Sequence, residues 1–346
     1  MSEAYSASKA GWHIDRIAQL RTGRDIAPVH LHFVISDLCN QDCHFCAYRM
    51  GTGFTAEGFA EDGNRNPARF IPTDKAKEIL DDCAELGVQA IEFTGGGEPT
   101  VHADHIEIFA HAQALGLRTG LVTNGVRLKE HAVYSQLDWI RVSLDAGTAV
   151  TYEQIRASKA WPKVMANLRM ESIKRPYFGV GFVVTRENYA EIVQATEIAL
   201  DAGADYIRFS AMFSTDGSDH YEGLRREIDA LRVRAASMQT DTFKVVDLFG
   251  DRINDLDQGA PEYSFCGQQQ FVLYVGGDQK LYRCCTTAYT KHGLVADLRD
   301  QRFKDALAAT NRFGFDARSC HHCQFNDKNR VVAQLLDPNP PHVYFV

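Results

Sequence analysis

Cys39, Cys43 and Cys46 stand at C-x3-C-x2-C spacing in the stretch CNQDCHFCAYRM. A loop of that length brings three thiolates to one side of the chain, within bonding reach of one metal centre. Structural zinc closes with four protein ligands, and a four-iron cluster held by protein alone takes four cysteines. Three thiolates therefore make either a partial zinc knuckle or a cluster site with one iron left for an outside ligand. A second set, Cys266, Cys284, Cys320 and Cys323, has enough thiolates to close a zinc tetrahedron or a four-iron cluster. Cys285 is an extra thiol, readable as a spare ligand, an inert buried residue or a donor of a hydrogen atom. His321 and His322 stand inside the terminal C-x2-C, and with four thiolates at hand they fall to solvent-facing or supporting roles. Cys83, at helical spacing in TDKAKEILDDCAELG, reads as a small core residue.

Three polar stretches close apolar runs. TGGGEPT (94–100) offers glycines, which let a backbone approach a ligand closely, so Gly95 and Gly96 can present carbonyls and amides to a ligand with Glu98 beside them. VTNG and VSLDA bring Asn124, Ser143 and Asp145. Taken singly, Asn124 suits a turn and Asp145 a helix cap.

The elements that must position these residues alternate short apolar runs with helical stretches, the pattern of βα units on a parallel sheet. Strands are expected at 31–36, 90–95, 119–124, 139–145, 178–185 and 206–213, and helices at 73–86, 104–115, 163–174, 188–202 and 220–238. Six such units fall short of the eight of a closed barrel, and the active site of such folds lies at the C-terminal strand ends. The loop 47–72 is glycine-rich, polar and too long for an ordinary connection, which suits a lid over substrate. After about residue 245 the period changes. FVLYVGGDQKLYRCC reads as a hairpin through Gly276-Gly277-Asp278, followed by a helix near 300–311. The expected division is an N-terminal extension 1–28, a core 29–245, a small cysteine-bearing domain 246–330 and a tail 331–346.

The chain has 346 residues, 45% hydrophobic and 24% charged, with net charge −8. That composition is ordinary for a globular protein. No apolar run approaches the roughly 18 residues of a spanning helix, and the first residues lack a signal peptide's basic start and apolar middle, so a cytoplasmic protein with no membrane partner is expected. Scattered basic residues disfavour nucleic acid. Nine cysteines in a compartment that keeps thiols reduced point to metal or redox chemistry.

The cysteine spacing, with Phe45 just before its last member, and the Gly95–Glu98 loop resemble the radical SAM superfamily. The resemblance covers about residues 30–330. It implies an α/β fold, a partial (β/α)6 TIM-like barrel with a small C-terminal hairpin-plus-helix auxiliary domain. It implies a four-iron cluster on Cys39, Cys43 and Cys46 whose open iron chelates S-adenosylmethionine, and an oxidoreductase-type enzyme that cleaves it to a 5′-deoxyadenosyl radical. Contacts to that cofactor are implied for Phe45, Gly95, Gly96, Glu98, Asn124, Ser143 and Asp145, and for the backbone near Ser210. No clean counterpart of the family's fifth-strand motif stands in GVGFVVT. The second cysteine set resembles the twitch domain, a shortened relative of the SPASM domain, and implies an auxiliary cluster, two [4Fe-4S] clusters per chain in all. A reductase such as flavodoxin or ferredoxin is the implied electron donor.

The 28 residues before the first strand are fewer than the leader-binding domain that peptide-modifying relatives often carry. The expected substrate is therefore a small polar metabolite such as a sugar, amino sugar or nucleotide conjugate, with net dehydrogenation as the outcome. Epimerisation and ribosomal-peptide modification are the alternatives within the family, and a non-catalytic iron–sulfur carrier or a zinc-bearing regulator are the alternatives outside it.

Overall fold

A computed structural model describes residues 5–48, 69–214 and 216–340. The expected lid lies largely outside them.

Ten strands form one sheet in the order β10-β9-β8-β1-β2-β3-β4-β5-β6-β7. They are β1 (His30–Phe33), β2 (Ala90–Phe93), β3 (Arg118–Thr123), β4 (Trp139–Ser143), β5 (Tyr177–Val184), β6 (Tyr206–Ala211), β7 (Lys244–Asp247), β8 (Val272–Val275), β9 (Lys280–Tyr282) and β10 (Leu294–Asp297). β1 to β7 pair in parallel, and β8 joins the other edge of β1, also in parallel. The edge strands β7 and β10 do not pair with each other, so the barrel is open. Alternate side chains of each strand face opposite sides of the sheet. Leu31, Phe33, Ile91, Phe93, Ile140 and Val142 are buried in the outer core, beneath helices such as Thr73–Glu85, whose Ala76, Ile79, Leu80 and Cys83 are buried. Their neighbours His30, His32, Glu92, Arg141 and Arg208 point the other way, into the barrel lumen.

Three expectations need correction. β7 adds a parallel strand beyond the six expected. Its four residues KVVD are partly exposed and pair only with β6, so no apolar run announced it. The hairpin through Gly276–Asp278 forms as expected, β8 antiparallel to β9, yet β8 extends the barrel sheet instead of starting a separate one. The helix expected at 163–174 is two short ones, Trp161–Asn167 and Glu171–Lys174. Asn167 leaves the helical pattern to donate its side-chain amide to the Gly125 carbonyl at 2.7 Å.

The glycines of GVGFVVT acquire a reason. A Cβ on Gly179 would lie 2.1 Å from the Tyr206 ring, so β5 is bare where a neighbour's aromatic lies across it at the lumen floor.

No helix among the described residues is long and apolar enough to cross a membrane.

Candidate functional site

The three-cysteine loop hangs from the C-terminal end of β1 and is docked by backbone and side-chain contacts on three sides. From β2, Glu98 N–H donates to the Leu38 carbonyl at 2.8 Å. Gly97 is pressed so close that a Cβ there would meet the backbone of Ser36, Asp37 and Leu38 at 2.4–2.5 Å. From β3, the Asn124 side-chain amide donates to Asn40 Oδ1 at 2.7 Å and approaches Cys39 Sγ at 3.9 Å. From the helix Ala149–Arg156, the Ile155 and Arg156 carbonyls accept from His44 and Asp42 N–H, and Arg156 Nη1 donates to Gln41 Oε1 at 2.7 Å. The guanidinium of Arg156 also lies over the Phe45 ring, 5.8 Å from its centroid. Burial pushes the Cys43 thiol up to about 12, the positive Arg156 pulls it back, and the neighbouring Cys46 and Cys39 add to the rise. Cys43, with the thiols of Cys39 and Cys46 beside it, belongs to a donor set suited to a cationic centre.

Two of the residues expected to contact the cofactor also hold the fold together. The buried Glu98 carboxylate accepts from Thr100 N–H (3.1 Å), Thr100 Oγ1 (2.6 Å), Thr123 Oγ1 (2.7 Å) and Asn124 N–H (2.7 Å). It ties the ends of β2 and β3 together. Asp145, expected as a ribose contact or helix cap, has positive φ (58°) and is buried. Its carboxylate pairs with Arg156 and accepts from Val183 N–H at 2.6 Å, while the cap of the next helix is Thr148. Ser143 and Ser210 end the lumen-facing rows of β4 and β6, and Gly95 and Gly96 stand between β2 and Gly97, at the same end of the barrel as the thiols.

The second set gathers as well. Cys266, Cys284, Cys320 and Cys323 all line one pocket, with Arg283, Thr287, Phe315 and the buried His322 among its other walls. Burial pushes the Cys266 thiol up, and Cys284, Cys323 and Cys320 reinforce the rise against the pull of a backbone hydrogen bond. Phe325 N–H (3.3 Å) and Asn329 Nδ2 (3.6 Å) donate to Cys323 Sγ. Among the described residues only His30, His32 and Glu92 bring three ligand atoms within 4.8 Å of one another, so no three sulfurs do. Tetrahedral zinc, with Zn–S of about 2.3 Å, requires sulfurs roughly 3.8 Å apart. The cavity is spaced for a larger occupant. Cys285 lies outside it. It lines a smaller cavity with His32 and Leu273, accepts from Gln324 Nε2 at 3.0 Å, and its thiol is pushed up to about 12 by burial and by Cys284.

Between the two sets lies the lumen. Glu92 Oε2 is 3.9 Å from His30 Nε2 and 3.7 Å from His32 Nε2. Burial opposes ionisation of Glu92, but its neighbours His32 and His30 and the guanidiniums of Arg141 and Arg208 more than offset it and hold the carboxyl below its ordinary range. Burial, helped by His32, Lys328 and Lys9 against the pull of Glu92, lowers His30 to about 3. The unfolded chain protonates this histidine near pH 6.5 and the folded chain only near 3, so its stabilisation is complete above 6.5 and falls as pH drops below that. Denaturant unfolding at pH 7 and pH 5 should show wild type losing about 2 kcal/mol more than His30→Gln over that interval. An equal loss in both proteins would mean that His30 is protonated in the fold.

None of the lumen residues was singled out from sequence. A signal was present: WIRVS and YIRFS each set an arginine at the alternate position of an apolar strand, as HLHF and AIEF set histidines and a glutamate.

Residues 33–199 match the family model described as Radical SAM superfamily. Among curated proteins the chain is similar to the Mycofactocin maturase MftC of Mycolicibacterium smegmatis (strain ATCC 700084 / mc(2)155), 25% identical over 315 residues, which are 86% of this chain and 74% of that protein. Several other curated relatives are matched over only about half of their own length. Among solved structures it resembles Streptococcus suis SuiB bound to precursor peptide SuiA (TM-score 0.63, 14% identity, 94% of this chain and 77% of that one). It also resembles native anSMEcpe with bound AdoMet and Cp18Cys peptide (TM-score 0.60, 15% identity, 88% of each chain). These structural likenesses show the fold. Through the domain at 33–199, this chain belongs to the radical SAM superfamily. It is an enzyme of that superfamily, whose members use a four-iron cluster and S-adenosylmethionine.

Proposed function

We propose that the chain modifies a peptide, using a cluster on Cys39, Cys43 and Cys46 and an auxiliary four-iron cluster on Cys266, Cys284, Cys320 and Cys323. The observation that carries the reading is the placement of two separate thiol sets on either side of one polar lumen. When bound, the first cluster supplies the electron that splits S-adenosylmethionine, and the resulting radical takes hydrogen from a substrate C–H bond. The residues of the chain hold and orient. Asn124, Arg156 and Gly97 fix the thiol loop, Ser143, Ser210, Gly95 and Gly96 offer polar groups at the mouth of the lumen, and buried walls keep bulk water from the reacting end. The wide spacing of the second set supports a cluster over zinc there, and a cluster with four protein ligands suits acceptance of the substrate's second electron. The likeness to SuiB in its complex with a precursor peptide, over 94% of this chain, and to a maturase favours a peptide over the small metabolite expected from the short segment before β1.

Anaerobic reconstitution should give about eight irons per chain, and turnover with a cognate precursor peptide should give 5′-deoxyadenosine and a peptide two mass units lighter. Cofactor cleavage stimulated only by small metabolites would overturn the peptide assignment.

A second reading, epimerisation, is favoured by the position of Cys285 on the lumen side. In that case Cys285→Ala keeps cofactor cleavage but stops deuterium from D2O entering the peptide. Unchanged product would remove it.

A further inference from the structure

The lumen carries more positive charge than its surroundings neutralise. Arg141 and Arg208 stand one pleat below Ser143 and Ser210; on the strand between them Gly179 pairs with Arg141 and Gly181 with Arg208, and a Cβ on Gly181 would lie 3.4 Å from Arg141 Cδ, so the bare backbone leaves that side chain room. The helix Phe249–Gln258, packed on β6, brings Arg252, and the helix Asn326–Leu336, packed on the N-terminal turn Ala7–Trp12, brings Lys328. Two anions face these four cations, Glu92 and Asp255, the latter beside Arg252 and held by Asn326 at 3.0 Å. Among the described residues none of the four cations forms an ion pair within 4 Å. Arg141 donates to Tyr5 Oη at 3.0 Å, and Lys328 rests over the Phe325 ring at 5.2 Å. Arg208 makes no hydrogen bond within that set. Its Nε is buried without a partner, and its guanidinium lies over the Tyr5 ring at 5.4 Å.

Two occupants compete on chemical grounds. His30, His32 and Glu92 are close enough to bind a divalent cation. A dication there would meet the guanidiniums of Arg141 and Arg208 and the ammonium of Lys328, and in a water-poor lumen each repulsion is of the order of kcal/mol. An anion meets the opposite field. A planar guanidinium with unused donors matches a carboxylate in bidentate fashion, and an unpaired buried cation is costly until such a partner arrives.

We propose that the lumen seats a carboxylate of the substrate, received by Arg208 from β6 and by Lys328 from the open side, with Arg141 held by Tyr5 as a supporting charge. This rests on the peptide-modifying reading and adds that the residue attacked lies next to a carboxylate, either the chain terminus or an acidic side chain.

Cys285 gives the test. In the protein with both clusters loaded it is the thiol facing the lumen, while Cys83 is buried in the core. Alkylation of Cys285 by anionic iodoacetate and by neutral iodoacetamide is followed by mass spectrometry, each rate divided by that for glutathione. The quotient of the two is insensitive to the thiol's own ionisation. We expect this quotient to be about tenfold above unity in wild type, about 1.4 kcal/mol of attraction per charge. It should fall close to unity in Arg208→Gln/Lys328→Gln and recover in Arg208→Lys, which also controls for folding. A wild-type quotient near unity, or an unchanged one in the double variant, overturns the proposal. N-acetylglycine or N-acetylglutamate α-amide should slow iodoacetamide modification at lower concentration than inorganic phosphate, and which of the two acts better tells a terminal from a side-chain carboxylate. Phosphate acting best, or none acting, overturns the carboxylate. The readout is independent of 5′-deoxyadenosine formation, so a neutral quotient with cleavage intact removes the seat alone, whereas a high quotient without peptide-stimulated cleavage removes the functional reading.

Discussion

Protein carrying Cys39→Ala, Cys43→Ala and Cys46→Ala, reconstituted without oxygen, is expected to keep about four irons per chain and to lose cofactor cleavage by at least about a thousandfold, roughly 4 kcal/mol of barrier. The expectation follows from the separation of the two thiol sets. The first hangs from β1 and is fastened by β2, β3 and the helix Ala149–Arg156, whereas the second lines its own cavity, whose walls include none of the first three cysteines. Iron content and 5′-deoxyadenosine yield, measured on the same sample, check both halves. Loss of all iron would show that the sets depend on each other. Retained cleavage would show that the first loop is not where the cofactor is split.

Arg156→Ala should be nearly as damaging, though it removes no thiol. Arg156 is buried, pairs with the buried Asp145, donates to Gln41 and lies over Phe45. Removing it leaves Asp145 as an uncompensated buried charge, which costs about 3–5 kcal/mol, and frees the loop from the helix that carries its carbonyl acceptors. Denaturant unfolding should show that loss, and iron content should fall by about half as the first site fails to hold its cluster. Asp145→Asn in the Arg156→Ala background should recover part of the stability without recovering the iron, because it removes the stranded charge and leaves the loop undocked. Full iron in Arg156→Ala would mean that the backbone contacts alone hold the loop.

Much of this arrangement could be read from the chain and some could not, for definite reasons. Six strands stand within a few residues of their apolar runs because each run is buried on its outer face and bounded by glycine or polar residues. The helix 73–86 was legible for the same kind of reason, opening after Pro72 and closing before Gly87, whose φ is +75°. Both cysteine sets were legible because spacing is itself the signal. Arg156 was not, since its partners lie 11 and 115 positions away and no local period reports a contact made by folding. Glu98 was legible as a residue, but its link to β3 was not: the donors Thr123 Oγ1 and Asn124 N–H reach its carboxylate only when the ends of β2 and β3 are side by side. The short half-exposed β7 left no apolar pattern to find. The lumen residues were overlooked for an instructive reason. An alternating polar residue in a strand is usually taken as facing solvent, and in a barrel that face turns inward.

Since β8 is bonded in parallel register to β1, from His30 with Val272 to Phe33 with Val275, the loop that starts beyond one strand and the hairpin that continues the other are parts of a single ladder. Swinging one thiol set away from the other would require unzipping a shared row of amides. Any on-off control of traffic between them is therefore left to what enters the space in between, much as a fixed spark gap is governed by the medium that fills it and not by moving its terminals.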